Sequence, residues 1–393
     1  METRISLWAY LWDINAVGPQ VALQEMKETG INTVSVALSY HAGHFLEPRN
    51  PLHKVYFPED GTIYFQPEQD YGRIKPEVAS FVSEQNLPGS VTAKALDAGL
   101  QVASWTVCLH NTRIGMLYPD VTTQNAFGDK NIYNLCPSHP AVQQYIGALI
   151  RDISSLPGVS SIELEALNYM GFEHEFHHEK DAVGLTALDN FLFSVCFCPS
   201  CMQGAQKQGI DAEAARQYVR ETLSKNLERE IPLQSESQDF LAQGQAYFAK
   251  HRAFHSYLSW RSEPVTALLQ RVKAAVAPGV KLFFLDLMGP HSDWMFGVDF
   301  ASLGENCDGI VVCCYGLEAS EVDAAISEVR RHLSETEIVA GFRLYYPEIT
   351  GPAALKERVL AARQAGANGM ALYNYGLVPR ARLRWAQDAC ALW

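Results

Sequence analysis

The chain lacks any run of about eighteen consecutive apolar residues, the length a helix needs to cross a bilayer, and this excludes a membrane helix. Basic charge is also scarce. Lys and Arg number 31 against 44 Asp and Glu, a net charge of −13, so nothing supplies the clustered cations that a nucleic-acid backbone requires. A disulfide framework is missing as well. The nine cysteines include an odd one, and Cys313-Cys314 sits inside an apparent strand, which fits a reducing compartment. The opening residues Met1 to Trp8 have no apolar signal core and read as a first strand. Together these features lead us to expect a cytoplasmic protein that needs no organic cofactor. There is no glycine-rich phosphate loop after that first strand, which ends in Trp8-Ala9-Tyr10-Leu11-Trp12-Asp13. This argues against a doubly wound open sheet. Internal repeats and low-complexity tracts are absent too.

What is present is a regular alternation. Apolar, β-branched or aromatic runs occur at Ile5 to Tyr10, Thr33 to Tyr40, Gln101 to Leu109, Val159 to Leu167, Lys281 to Met288, Gly309 to Tyr315, Ile338 to Tyr345 and Gly369 to Tyr375. Helical patterns separate them. In Pro140 to Leu156, Val142, Tyr145, Ile146, Leu149, Ile150 and Ile153 share one face. Further helices are read at Glu318 to Leu333, Pro352 to Ala365 and Pro379 to Ala389. Eight strands alternating with helices predict an α/β (β/α)8 TIM barrel, a single domain over 1–393. Two connections are long. Residues 41–98 form a loop insertion, in which Phe57 to Phe65 reads as a small β-hairpin. Residues 168–280 form a mainly helical insertion, a surface suited to a homo-oligomer contact.

Barrel enzymes place their chemistry at strand C-termini. There the chain carries Trp8 and Tyr10; Tyr40, His41 and His44; Trp105, His110 and Asn111; Glu163, Glu165, Asn168 and Tyr169; Asp286, His291, Asp293 and Trp294; Tyr315; Arg343, Tyr345 and Glu348; and Tyr373 and Asn374. Aromatic faces with interspersed carboxylates suit a carbohydrate: rings stack on its C–H face, and carboxylates and amides take its hydroxyls. The plainer reading is that these aromatics only pack loops. Glycoside cleavage needs two carboxyls, about 5 Å apart for retention or about 6.5–9.5 Å for inversion. Glu163 and Glu165 alternate onto the same strand face. Glu165, nearer the mouth, is the expected acid. Glu163, one pleat deeper, is expected to orient it or to pair with Arg343, and a buried ion pair without chemistry is the competing reading. Asp286 and Glu348 are the candidates for the second carboxylate.

Cys196-Phe197-Cys198-Pro199-Ser200-Cys201 offers three thiols at C-x-C-x-x-C spacing, most of a structural Zn²⁺ site. Cys136 is the preferred fourth ligand, with His177 or His178 next. No fourth Cys follows at ferredoxin spacing, which disfavours an iron–sulfur cluster.

With these residues in place, the chain resembles the glycoside hydrolase (β/α)8-barrel superfamily. The more specific echo is of the family 42 β-galactosidases, in which a C-x-C-x-x-C zinc cluster with one upstream Cys follows the acid glutamate of strand four. Glu165, Cys136 and Cys196-x-Cys198-x-x-Cys201 stand in that order here. The superfamily's Asn-Glu pair is absent, since Leu164 precedes Glu165, and strand seven has no glutamate of its own. Ile162-Glu163-Leu164-Glu165 is also similar to the acidic strand of chitinase-like barrels, but the acid would then fall at Leu167. The resemblance implies an uncharacterised branch of glycosidases. Two other functions compete with it. One is a metal-dependent sugar isomerase, epimerase or aldolase using His41, His44, His110, Glu165, Asp286 and His291. The other is a non-catalytic sugar-binding barrel.

Overall fold

The computed structural model describes residues 3–82, 87–174 and 179–393. Among them, eight parallel strands close into a barrel: β1 (Ile5–Tyr10), β2 (Thr33–Tyr40), β3 (Gln101–Val107), β4 (Val159–Glu165), β5 (Lys281–Asp286), β6 (Gly309–Cys313), β7 (Glu337–Arg343) and β8 (Gly369–Tyr373). Each pairs with the next, and β1 pairs with both β8 and β2, which completes the ring. The strands read as nearly continuous apolar runs because rings fill the barrel on one side and helices cover it on the other. The outer helices are α1 (Pro19–Glu28), α2 (Leu87–Asp97), α3 (Pro140–Ser155), α4 (Ser262–Ala275), α5 (Phe300–Asn306), α6 (Ala319–His332), α7 (Pro352–Gln364) and α8 (Arg380–Cys390). α3 shows how local sequence sets an element. His139 accepts a hydrogen bond from Ala141 N, Pro140 occupies the first turn, and the apolar stripe from Val142 to Ile153 is buried. The fold is therefore the expected (β/α)8 barrel.

The segment between β2 and α2 corrects one expectation. Phe57 to Phe65 does not fold on itself as a hairpin. Val55–Tyr56 pairs antiparallel with Phe45–Leu46, and Thr62–Ile63 pairs antiparallel with Ser39 and Tyr40 of β2. The sequence of the turn is local, but both of these partners lie earlier in the chain, within residues 39–46.

The insertion after β4 carries helices at Ala187–Ser194, Pro199–Lys207, Ala212–Leu227, Gln234–Gln243 and Arg252–Trp260. These surround a second apolar core, distinct from that of the barrel, built on Phe191, Phe240, Phe248, Phe254, Tyr257 and the cysteine motif. No helix among the described residues is long and apolar enough to cross a membrane.

Candidate active site

The two glutamates of β4 have different surroundings. Glu163 is fully buried in the barrel. Its Oε1 takes Arg4 Nη2 and Ser35 Oγ (2.9 Å), and its Oε2 takes Trp8 Nε1 at 2.7 Å. Arg4 also donates to Ser161 Oγ at 2.9 Å and lies 4.4 Å from the Phe283 ring centre. The expected partner, Arg343, is elsewhere: its guanidinium closes on Glu348 at 2.7 Å. The ion pair of Glu163 therefore comes from Arg4, just before β1 at the barrel floor, and not from strand seven.

Glu165 ends β4 at the opposite, open end. Burial drives its carboxyl up to about 7; a hydrogen bond from Trp105 Nε1 opposes this and the charge of Glu163 adds to it. The chain reverses just beyond, where Ala166 adopts φ +52°.

Below Glu165 lies an aromatic plug. Trp8, Tyr10, Tyr40 and Trp105 are buried, with ring centroids 5.0–6.4 Å apart where they meet. Tyr10 Oη bonds to Tyr40 Oη at 3.1 Å and to Tyr373 Oη at 2.6 Å. These four rings were expected against a sugar; they instead fill the barrel interior. Tyr315, Tyr345 and Tyr373 are half-buried at the rim, and Arg343 stacks over Tyr315 and Tyr345 at 4.7 and 5.6 Å.

A cavity of about 130 Å³ opens beside this plug. It gathers Glu165, His41, His110, Asn168, Tyr169, Asp286 and Asp293 from the residues read at the strand ends, together with His174. His41 and His110 stack at 4.1 Å, and His174 meets His110 edge-on at 4.5 Å. Burial lowers His41 to about 4 and His110 to about 2, so both are neutral at pH 7. The His41 Nδ1···Ala42 O contact of 2.6 Å places the imidazole proton on Nδ1.

Asp286 Oδ1 accepts from Met288 N at 3.0 Å and Gly289 N at 2.7 Å. Its carboxyl also hydrogen-bonds that of Asp293, whose titration burial and the Asp286 charge push up to about 9. The role of Asp293 was not read from the sequence. It stands on a single 3₁₀ turn, Asp293–Phe296, and only the fold-back of the loop after β5 brings it to Asp286. His174 was missed for the same reason.

Other expected residues are placed outside this cavity or occupied within its wall. Glu348 is held by Arg343 and accepts from Gly316 N at 2.7 Å. Asn111 is the N-cap of the short helix Thr112–Leu117, accepting from Ile114 N at 2.8 Å and donating to Gly61 O at 3.2 Å. His44 is exposed and stacks on Phe57. Trp294 packs on Phe191 and Phe240 of the insertion core. Asn374 is fully buried, and its Oδ1 accepts from Gly376 N at 3.0 Å. Tyr169 is fully buried with its hydroxyl 3.3 Å from Cys201 Sγ.

That last contact leads to the cysteines. Cys136, Cys196, Cys198 and Cys201 are buried, and their sulfurs lie within 4.8 Å of one another. From Cys136, the other three are 4.0, 3.5 and 3.4 Å away. A tetrahedral ion with metal–sulfur bonds of about 2.3 Å spaces its ligands about 3.8 Å apart, so the four thiols fit such an ion. Gln124 N donates to Cys196 Sγ at 3.4 Å, and Ser138 Oγ lies 3.2 Å from Cys201 Sγ. Such contacts fix ligand orientation. The alternative ligands His177 and His178 lie outside the described residues. Among the described residues, no other group of three or more His, Cys, Asp or Glu side chains converges on one point in this way.

No family model matches the chain, and no curated protein sequence matches it. Solved structures do share its shape. α-L-Fucosidase isoenzyme 2 from Paenibacillus thiaminolyticus superposes with a TM-score of 0.60 at 12% identity, over 100% of this chain and 49% of that one. The catalytic domain of β-amylase from Paenibacillus polymyxa gives 0.60 at 12% over 98% and 97%. β-Galactosidase from the psychrophilic Marinomonas ef1 gives 0.59 at 10% over 99% and 59%. The chain thus spans about half the length of the fucosidase. At such identities the likeness establishes a common architecture, the (β/α)8 barrel.

Proposed function

We propose that the protein is a glycoside hydrolase acting on a small glycoside or oligosaccharide, with Glu165 as general acid. The observation that carries this reading is the state of Glu165: a carboxyl at the open end of β4, in a cavity, titrating near 7. Such a group is protonated often enough at neutral pH to deliver a proton to a leaving oxygen. Asp286 is the proposed second carboxylate. It lines the same cavity from the neighbouring strand, whereas Glu348 is tied to Arg343 and Gly316 away from it. The barrel neighbours named fucosidase, amylase and galactosidase support the reaction class. His41, His110 and Asn168 supply neutral hydrogen-bonding groups to hydroxyls. The four cysteines are proposed to hold structural Zn²⁺, which would fix the loop after β4 by closing a site of four thiolates.

The test is hydrolysis of a panel of aryl glycosides by the wild type and by Glu165→Gln. Removing a general acid costs about 10²–10⁴-fold in rate, so the variant should lose activity by that factor with unchanged circular dichroism. Equal rates in the two proteins would refute the reading.

A further inference from the structure

A single acid opposite a single carboxylate does not require a second aspartate, yet the cavity has one. Asp286 and Asp293 are 2% and 3% exposed. The Oδ2 atom of each is buried without a donor, and the two carboxyls lie within hydrogen-bonding reach of one another. Two carboxyls this close in a buried site cannot both ionise, so one proton is shared between them. Met288 N and Gly289 N donate to Asp286 Oδ1, which places the negative charge on Asp286 and the proton on Asp293. The ionisable groups around the pair are Glu165 on β4, Cys313 and Cys314 at the end of β6, and the imidazoles of His41, His110 and His174. Burial raises both thiols, so they carry no charge at neutral pH. No Lys or Arg lines the cavity among the described residues. The cavity therefore holds buried negative charge and two buried Oδ2 atoms without a donor, and has no Lys or Arg in its lining; the buried Arg261 packs on the turn that carries Asp293, where its Nη1 donates to Met295 O at 2.8 Å.

We infer that the Asp286–Asp293 pair receives a protonated amine of the substrate, so that the sugar bound here is an amino sugar with a free amine. An ammonium brings one positive charge and three donors. It can satisfy both Oδ2 atoms at once, in place of the single shared proton. Phe284 and Phe296, both buried, line the same cavity and keep the local dielectric low, which strengthens this attraction. The exchange balances: the singly protonated pair, of charge −1, binds an ammonium of charge +1, becomes doubly ionised, and releases one proton to solvent. The proton given up is the one on Asp293, and Asp286 keeps its charge throughout. The sugar part of this inference rests on the proposed glycosidase activity; the amine part does not.

The experiment measures binding, not hydrolysis. Calorimetric titrations of the full chain use the methyl glycosides of glucosamine, N-acetylglucosamine and glucose, each as both anomers, in two buffers of different ionisation enthalpy at pH 6.5. The amine-bearing glycoside should bind at least tenfold tighter than the other two and release close to one proton. Asp293→Asn, which keeps shape and one donor, should reduce the preference to less than about twofold and abolish proton release. Equal affinity of the wild type for the three ligands would overturn the inference, as would an amine preference that survives in Asp293→Asn. If that variant does not fold, the wild-type selectivity and proton count still decide. Tight amine binding without hydrolysis of any glycoside would sink the proposed activity and leave the amine site standing; hydrolysis without amine preference would do the reverse.

Discussion

The indole nitrogen of Trp105 on β3 donates to Glu165 Oε2 on β4, although the ladder sets Trp105 opposite Glu163. The side chain leans one pleat toward the barrel mouth. A donor to the carboxylate favours the charged form and so works against burial, which favours the neutral one.

Trp105→Phe removes that donor and keeps the ring. The carboxyl of Glu165 should then titrate at higher pH than in the wild type. The alkaline limb of the kcat/KM–pH profile, where the proton of the acid is lost, should move upward. A limb that stays in place would show that the indole does not tune this group.

Glu165 also links pH to stability. Its carboxyl titrates near 4.5 when unperturbed and near 7 in the folded protein. Between these values the folded chain binds more protons than the unfolded one, so stability falls as pH rises from about 4.5 to 7 and is level with respect to this group outside that window. Glu165→Gln should flatten the dependence of Tm on pH across that interval. An unchanged slope would mean that the carboxyl titrates at its ordinary value.

Asp286 and Glu348 can be separated by paired substitutions. Asp286→Asn should lower kcat by about 10²–10⁴-fold, as loss of a general base does. Glu348→Gln should leave kcat within a few-fold and destabilise the fold by about 1 kcal/mol or less, because its pair with Arg343 is partly solvated. The opposite ranking would reassign the second carboxylate.

The floor of the barrel depends on Arg4. Arg4→Met leaves Glu163 buried with its charge uncompensated, and breaking a buried pair in this way costs about 3–5 kcal/mol. Urea denaturation should show a loss of that order, and recovery of most of it in Arg4→Met/Glu163→Gln.

The barrel was legible because its signal is repeated and local. Each strand is a short apolar run, each helix a stripe such as Val142 to Ile153, and all eight strands begin within one residue of where the runs do. The runs overshoot at the far ends. Val159 to Leu167 reads as one strand, but β4 stops at Glu165, where Ala166 turns into the left-handed region. Leu167 stays apolar because it is buried in the barrel's apolar core, and composition cannot distinguish that from a strand. The cysteine set was legible from its spacing and its upstream partner. What was illegible depends on chain reversal. Arg4 reaches Glu163 across 159 positions, and Asp293 reaches Asp286 only after the turn at Gly289. The aromatics misled in a different way: a ring at a strand end looks the same whether it faces a ligand or fills the barrel, and Trp8, Tyr10, Tyr40 and Trp105 fill it.

Tyr169 belongs to two neighbourhoods. Its hydroxyl touches Cys201 and Ser138, its ring lies under the Arg261 guanidinium, and its backbone takes part in the wall of the cavity four residues after Glu165. The thiol knot therefore acts as a datum for the cavity end of the barrel: anything that loosens the knot, such as oxidation of a sulfur, would be felt as a misplaced Asn168 before it was felt as an unfolded domain.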